Sequence, residues 1–127
     1  MEDKEREIWA GENRLYLGED NILYYTGAGQ TNGKTAAGIK EAAYKLAGLV
    51  GGKVDVIIDH NKAAKPSLDA RKIFEEMTEN ERFGKIAHVG VNPVARVIAS
   101  FVMGVSGKKE MRFFKTKEEA LAWLKKK

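Results

Sequence analysis

Two short, mostly apolar runs, the largely β-branched Val54 to Asp59 and Lys85 to Val91, constrain this chain most, because helix-patterned stretches flank them. A run without polar alternation is the mark of a strand covered on both faces, as in a parallel sheet bridged by helices. Ahead of the first run, Ile39, Ala42, Ala43, Leu46 and Val50 recur at helical spacing from about Lys34 to Val50, and Gly51-Gly52 close that helix. Between the runs, a loop from His60 to Lys65 leads to Pro66 and Ser67. These open a helix with Ala70, Ile73, Phe74 and Met77 on its inner face. Beyond the second run, Asn92 and Pro93 form a cap and first-turn pair for a helix to about Met103, where Gly104 stops it. Helices of this length between strands predict βαβ units.

The two ends complete the pattern. Ile8-Trp9, Arg14 to Leu17 and Asn21 to Tyr25 read as extended segments joined by the turns Gly11-Glu-Asn13 and Gly18-Glu-Asp20. Arg112, Phe113 and Phe114 read as a closing strand. Thr116 with Glu119 is a capping box for a last helix carrying Ala120, Leu121, Trp123 and Leu124. The expectation is one α/β domain over residues 1–127. It has a mixed sheet of about five strands, an N-terminal antiparallel hairpin followed by βαβ units, and about four helices. With 127 residues, 43% of them hydrophobic, the chain can bury one core and has no room for a second domain.

Several function classes drop out at this stage. With no cysteine, a disulfide framework, a thiolate zinc site and a cysteine nucleophile are all excluded. The first residues, Met1 to Glu7, are charged and carry no signal-peptide core, and no run of about 18 apolar residues occurs, so a cytoplasmic protein without a transmembrane segment is expected. The net charge of +4 comes from 22 basic residues spread among 18 acidic ones, with no basic stripe interleaved with aromatics; nucleic acid is not an expected partner. His60 and His88 lack metal-ligand spacing with other residues, and Asp59-His60-Asn61 is either a polar site or an ordinary strand-end loop. His88, inside an apolar run, reads as a satisfied sheet histidine. No serine sits in a nucleophile elbow. Neither a catalytic residue nor a metal or cofactor is expected.

Three constellations remain as candidate sites. Ala28-Gly-Gln-Thr-Asn-Gly-Lys-Thr35 fits a relaxed G-x-x-x-x-G-K-S/T pattern, with Ala28 in place of the first glycine. Gly33 and free backbone N–H groups would face phosphates, Lys34 would reach the outer ones, Thr35 would hold magnesium, and Asp59 would supply the second carboxylate. The competing reading is a glycine-rich loop, Gly27 to Gly33, that lets strand turn into helix. The second is Ser67, an N-cap behind a proline. The third is the helix from Pro93 to Met103, where only Arg96 and Ser100 are polar, so that Val94, Val97, Ile98, Phe101 and Val102 need a cover: a neighbouring element, a second subunit or an apolar ligand.

The C-terminal pattern R-F-F-x-T-x-E-E-A-x-x-W-L, from Arg112 to Leu124, closely resembles the end of the SpoIIAA-like proteins, relatives of the STAS and CRAL-TRIO domains. The similarity extends over roughly residues 5 to 126. It takes in Val56-Ile-Ile-Asp59, Ser67-x-x-Ala70-Arg71 and Lys85-Ile-Ala-His-Val-Gly90. The resemblance implies a mixed sheet flanked by helices and a job done by binding. In anti-sigma-factor antagonists of the STAS class, a serine at the place of Ser67 is phosphorylated by a partner kinase; here Pro66-Ser-Leu-Asp-Ala70 replaces their Asp-Ser-Ser/Thr-Gly-like run. STAS domains dock proteins, while CRAL-TRIO relatives bind apolar ligands beneath a mobile helix. The expected function is therefore a non-catalytic interaction or regulatory module, homodimeric or bound to a protein partner. A carrier of a lipid-like ligand and a nucleotide or phosphate binder are the alternatives.

Overall fold

The structure, a computed structural model, describes residues 6–64, 66–91 and 111–126. Six strands form one sheet whose spatial order is their order in the chain: β1 (Glu7–Ala10), β2 (Asn13–Leu17), β3 (Leu23–Gly29), β4 (Val54–Ala63), β5 (Phe83–Val89) and β6 (Met111–Phe114). The first three are an antiparallel meander, and β3 through β6 are parallel. Helix α1 (Gly33–Ala47) follows β3, α2 (Leu68–Glu79) follows β4, and α3 (Lys117–Lys125) follows β6. The expected α/β class with a mixed sheet is what the chain forms. The sheet has six strands instead of about five, because the opening segments make three strands where a hairpin makes two. The described residues contain three helices. The helix expected from Pro93 to Met103, with Val94, Val97, Ile98, Phe101 and Val102, lies outside the described residues.

Alternation along the strands divides the side chains between two cores. On one face, Leu15, Leu17, Leu23, Val54, Val56, Phe83 and Ile86 pack with Ile39, Ala43 and Leu46 of α1, and Phe74 and Met77 of α2 close over them. On the other face, Ile57, Ala87 and Val89 meet Ala120 and Leu124 of α3, with Ile22, Phe114 and Trp123 at the margin. Helix α1 packs against the meander, whereas α3 packs against β4, β5 and β6. Among the described elements, no helix covers the second face of β1 and β2.

The caps formed as their sequences dictate. Ser67 Oγ accepts from Ala70 N–H (3.1 Å) and Thr116 Oγ1 accepts from Glu119 N–H (3.2 Å), each satisfying a donor at a helix start. Element ends moved where pairing overrode local propensity. Gly27 to Gly29, read as loop, belong to β3, and His60 to Ala63, also read as loop, belong to β4, because Ala28 pairs Lys62 and Gly29 pairs Ala63. Helix α1 stops at Ala47, short of Val50, where the Gly48 N–H turns back to the Tyr44 carbonyl (3.0 Å).

Asn13 joins the meander to the parallel half. It is 2% exposed, accepts from Ala28 N–H (3.1 Å) and donates to the Ala10 carbonyl (3.1 Å). Its Oδ1 meets β3 beside the irregularity between Thr26 and Ala28. Asn13→Ala leaves a backbone donor without its acceptor, and chemical denaturation is expected to show a loss of about 1–3 kcal/mol.

Candidate functional site

Connections at the carboxyl ends of parallel strands are where α/β sheets place ligand-binding groups. The candidate phosphate loop lies there, but much of it is not loop. Ala28 and Gly29 are paired strand residues, so only Gln30, Thr31 and Asn32 connect β3 to α1. Gly29 carries the turn with φ +66°, a conformation that glycine adopts at no steric cost. Asn32 caps α1, its Oδ1 accepting the Thr35 N–H (2.8 Å), so one of the donors a phosphate would use is already taken. A Cβ on Gly33 would come within 3.0 Å of Asp69 Cβ, which brings the start of α1 against the first turn of α2. The Asp69 carboxylate suits the α2 dipole and opposes an anion at Gly33 and Lys34. Asp59 lines a small depression with Tyr24, Thr26, Ile57, Val89 and Lys117, without Gly33, Lys34 or Thr35. Its Oδ1 accepts from the Asn61 N–H (2.9 Å) and Asn61 Nδ2 (2.8 Å). Ser67 sits beside this loop, half-buried, its N–H donating to the carbonyl of buried Thr31 (3.0 Å).

A feature that spacing could not reveal lies across β4 and β5. The residues are 28 apart in sequence, yet His60 Nε2 and His88 Nδ1 are hydrogen-bonded at 2.8 Å. The His88 ring lies between those of His60 and Phe113, each 5.0 Å away by centroid. Burial, and secondarily the neighbouring His60, push the His88 pKa down to about 3. Burial also lowers that of His60, partly offset by Asp59. His88 Nε2 is buried and has no hydrogen-bond partner among the described residues, so His88 is only half satisfied, in contrast to the sequence reading. Such a pair is neutral at ordinary pH and a weak base. Among the described residues, no three His, Cys, Asp or Glu side chains gather to hold a metal ion.

The third feature is the face of the meander opposite α1, which no described helix covers over β1 and β2. Register places Glu7 and Trp9 of β1, Arg14 and Tyr16 of β2, and Tyr24 and Thr26 of β3 on that side. Trp9 is 58% exposed. Arg14 pairs with Glu7 and its guanidinium lies 4.9 Å from the Tyr16 ring centre. Tyr16 and Tyr24 are 6.3 Å apart and inclined at 43°. Tyr24 donates its hydroxyl to Asp20 (2.7 Å), and Lys117 Nζ lies 5.8 Å from its ring centre. Burial and the Asp20 carboxylate raise the Tyr24 pKa, keeping the hydroxyl a donor. The alternation that puts these side chains opposite Leu15, Leu17 and Leu23 is visible in the sequence. Which face the described helices leave uncovered is not.

Among the described residues, no helix is long and apolar enough to cross a membrane. No curated protein matches the chain. Among solved structures, it is similar to an uncharacterized protein of the DUF3478 family with a SpoIIAA-like fold, from Shewanella loihica PV-4. The TM-score is 0.69 at 19% identity, over 88% of this chain and 91% of that one. A protein of unknown function from Arthrobacter sp. FB24 matches at 28% identity over 87% of this chain and 96% of that one, with a TM-score of 0.29. The mixed sheet and its flanking helices are thus a SpoIIAA-like fold, as the C-terminal pattern implied. The family model described as "Domain of unknown function (DUF7793)" matches residues 16–127, and the chain belongs to that family.

Proposed function

We propose that the protein is a non-catalytic binding module that acts by protein–protein interaction, using the face of β1 and β2 that no described helix covers. The observation that carries this reading is the set of side chains gathered there, Trp9, Arg14 and Tyr16 on two adjacent strands, with Tyr24 beside Tyr16 at the margin of the core under α3. Trp, Tyr and Arg are the residue types that dominate binding energy at protein interfaces, since they offer large rigid surfaces with a polar handle. A cluster of them without a covering helix among the described elements is costly to leave in water and favourable to cover. Regulation through Ser67 is compatible with this reading: its hydroxyl is at a helix start, where a phosphate would meet the α2 dipole and the Asp69 charge together. No observation among the described residues gives comparable support to a lipid carrier or a nucleotide binder.

The test uses a photo-crosslinking amino acid placed at Tyr16, and at exposed Glu75 on α2 as the control, in the full chain expressed in its host. Adducts with a protein partner are expected from position 16 and not from position 75. Equal labelling from both, or none from position 16, overturns the reading.

A further inference from the structure

We infer that Trp123, with Lys85 and Arg112 standing over its ring, receives an extended acidic segment of a protein partner that carries carboxylates on alternate residues. Arg112 is on β6 and Trp9 on β1, the two outer strands of the sheet, so this site is separate from the surface proposed above and does not rest on it.

Unbalanced charge is the first argument. The Arg112 guanidinium lies 5.4 Å and the Lys85 ammonium 5.3 Å from the centre of the Trp123 ring. Among the described residues, neither cation has a carboxylate within ion-pair distance. Glu119, one helical turn ahead of Trp123, and Asp55 on β4 pair with neither; Asp55 Oδ1 accepts instead from the Lys85 backbone N–H (2.8 Å). Lys85 Nζ donates to the carbonyls of Trp123 (3.4 Å) and Lys126 (2.9 Å), which ties it to the end of α3 and sets its charge against the helix dipole. Arg112 is exposed and makes no hydrogen bond to a described residue, and Lys126 adds a further positive charge at the same helix end. An anionic partner is the one whose charge this surface complements.

The second is the way the donors are held. A guanidinium against an aromatic ring has part of its side-chain freedom already restricted, while its planar fork of N–H groups stays open to a carboxylate. Trp123 is itself fixed by Phe114, 5.6 Å away and inclined at 40°. Its indole N–H has no hydrogen-bond partner among the described residues. The side chains that meet here therefore offer donors and no acceptor.

Spacing is the third. Ala87 pairs with Arg112, and Lys85 lies two residues earlier on the same side of β5. Such diagonal neighbours leave a sheet about 7–8 Å apart. Alternate side chains of an extended segment are about 6.8 Å apart, so one carboxylate can face each cation. A single phosphate is too compact to do so, and the Lys85 donors are largely committed to carbonyls.

The experiment titrates an acetylated, amidated octapeptide of alternating glutamate and serine into the isotope-labelled full chain. It follows the two indole N–H resonances, told apart with Trp9→Phe. A saturable shift of the Trp123 indole N–H is expected. It should be suppressed in about 0.5 M salt and absent with a glutamine–serine peptide of equal length. Arg112→Gln, at an exposed position, should weaken binding by about tenfold with an amide spectrum that remains that of the folded protein. No saturable shift at millimolar peptide, an equal response to the glutamine–serine control, or unchanged affinity in Arg112→Gln overturns the inference. A shift confined to the Trp9 indole would move binding to the other edge of the sheet and also overturn it. So would inorganic phosphate that saturates the Trp123 resonance at lower concentration than the peptide, because it would make a compact oxyanion the ligand. None of these outcomes alters the crosslinking expected from Tyr16, so the two proposals fail separately.

Discussion

Acidification is expected to destabilise this protein steeply between about pH 6.5 and about pH 3 through His88, whose pKa is pushed down to about 3 in the folded state. Unfolded, the imidazole titrates near 6.5, so as the pH falls the unfolded chain takes up a proton that the folded chain refuses. The stability His88 contributes is complete above about 6.5 and is lost progressively down to its folded pKa. The slope approaches about 1.4 kcal/mol per pH unit and the total is on the order of 4 kcal/mol, a large share of an ordinary domain's stability. Geometry explains why the pair resists a second charge. A first proton on His60 lets its Nε2–H donate to His88 Nδ1, which preserves the 2.8 Å bond; a proton on His88 Nδ1 as well would set two donors against each other. Denaturant titrations at several pH values, compared between the parent chain and His88→Leu, isolate this contribution from that of the carboxylates. The variant should lose about 1 kcal/mol less per pH unit between pH 6 and pH 4. Parallel slopes in the two proteins would show that His88 is not held neutral by the fold.

The legible part of the fold was the part governed by local patterning. Val54 to Ile58 and Ile86 to Val89 are strand because they are mostly apolar, with a single polar residue in each, Asp55 and His88, and Ser67 and Thr116 cap helices because their hydroxyls reach back to the first turn. What local patterning could not supply is long-range pairing. Ala28 and Gly29 have low strand propensity, yet β4 runs beside them and makes them strand, which converts a phosphate-loop pattern into three connecting residues and a capped helix. The same limit hid the His60 and His88 bond, which depends on the parallel register of Ile58 with His88. The aromatic face lies between these cases. Glu7, Trp9, Arg14, Tyr16 and Tyr24 alternate with core residues in the sequence, so their common side is predictable; that no described helix covers the first four depends on α1 packing against the opposite side of the meander, while Tyr24 reaches the core under α3.

That distinction between the two sides of one strand gives the second large effect. Leu15 is fully buried in the core beneath α1, beside Leu17, Leu23 and Ile39, while its neighbour Tyr16 lies on the opposite face of the sheet. Leu15→Ala removes a whole isobutyl group from a packed environment and leaves a cavity, at an expected cost of about 3 kcal/mol. For a domain of this size that is a fall of roughly 10 °C in Tm. Trp9→Ala removes a larger side chain from a residue 58% exposed, and the expected cost is within about 0.5 kcal/mol. The two measurements belong together, because binding energy can be assigned to the face only if the face is dispensable for folding. A Trp9→Ala protein that melts as early as Leu15→Ala would mean that the indole is part of the core and that the aromatic surface is not free to receive a partner. A stable Trp9→Ala protein beside a destabilised Leu15→Ala one would place folding on the helix-covered side of the meander and leave its other side available for recognition.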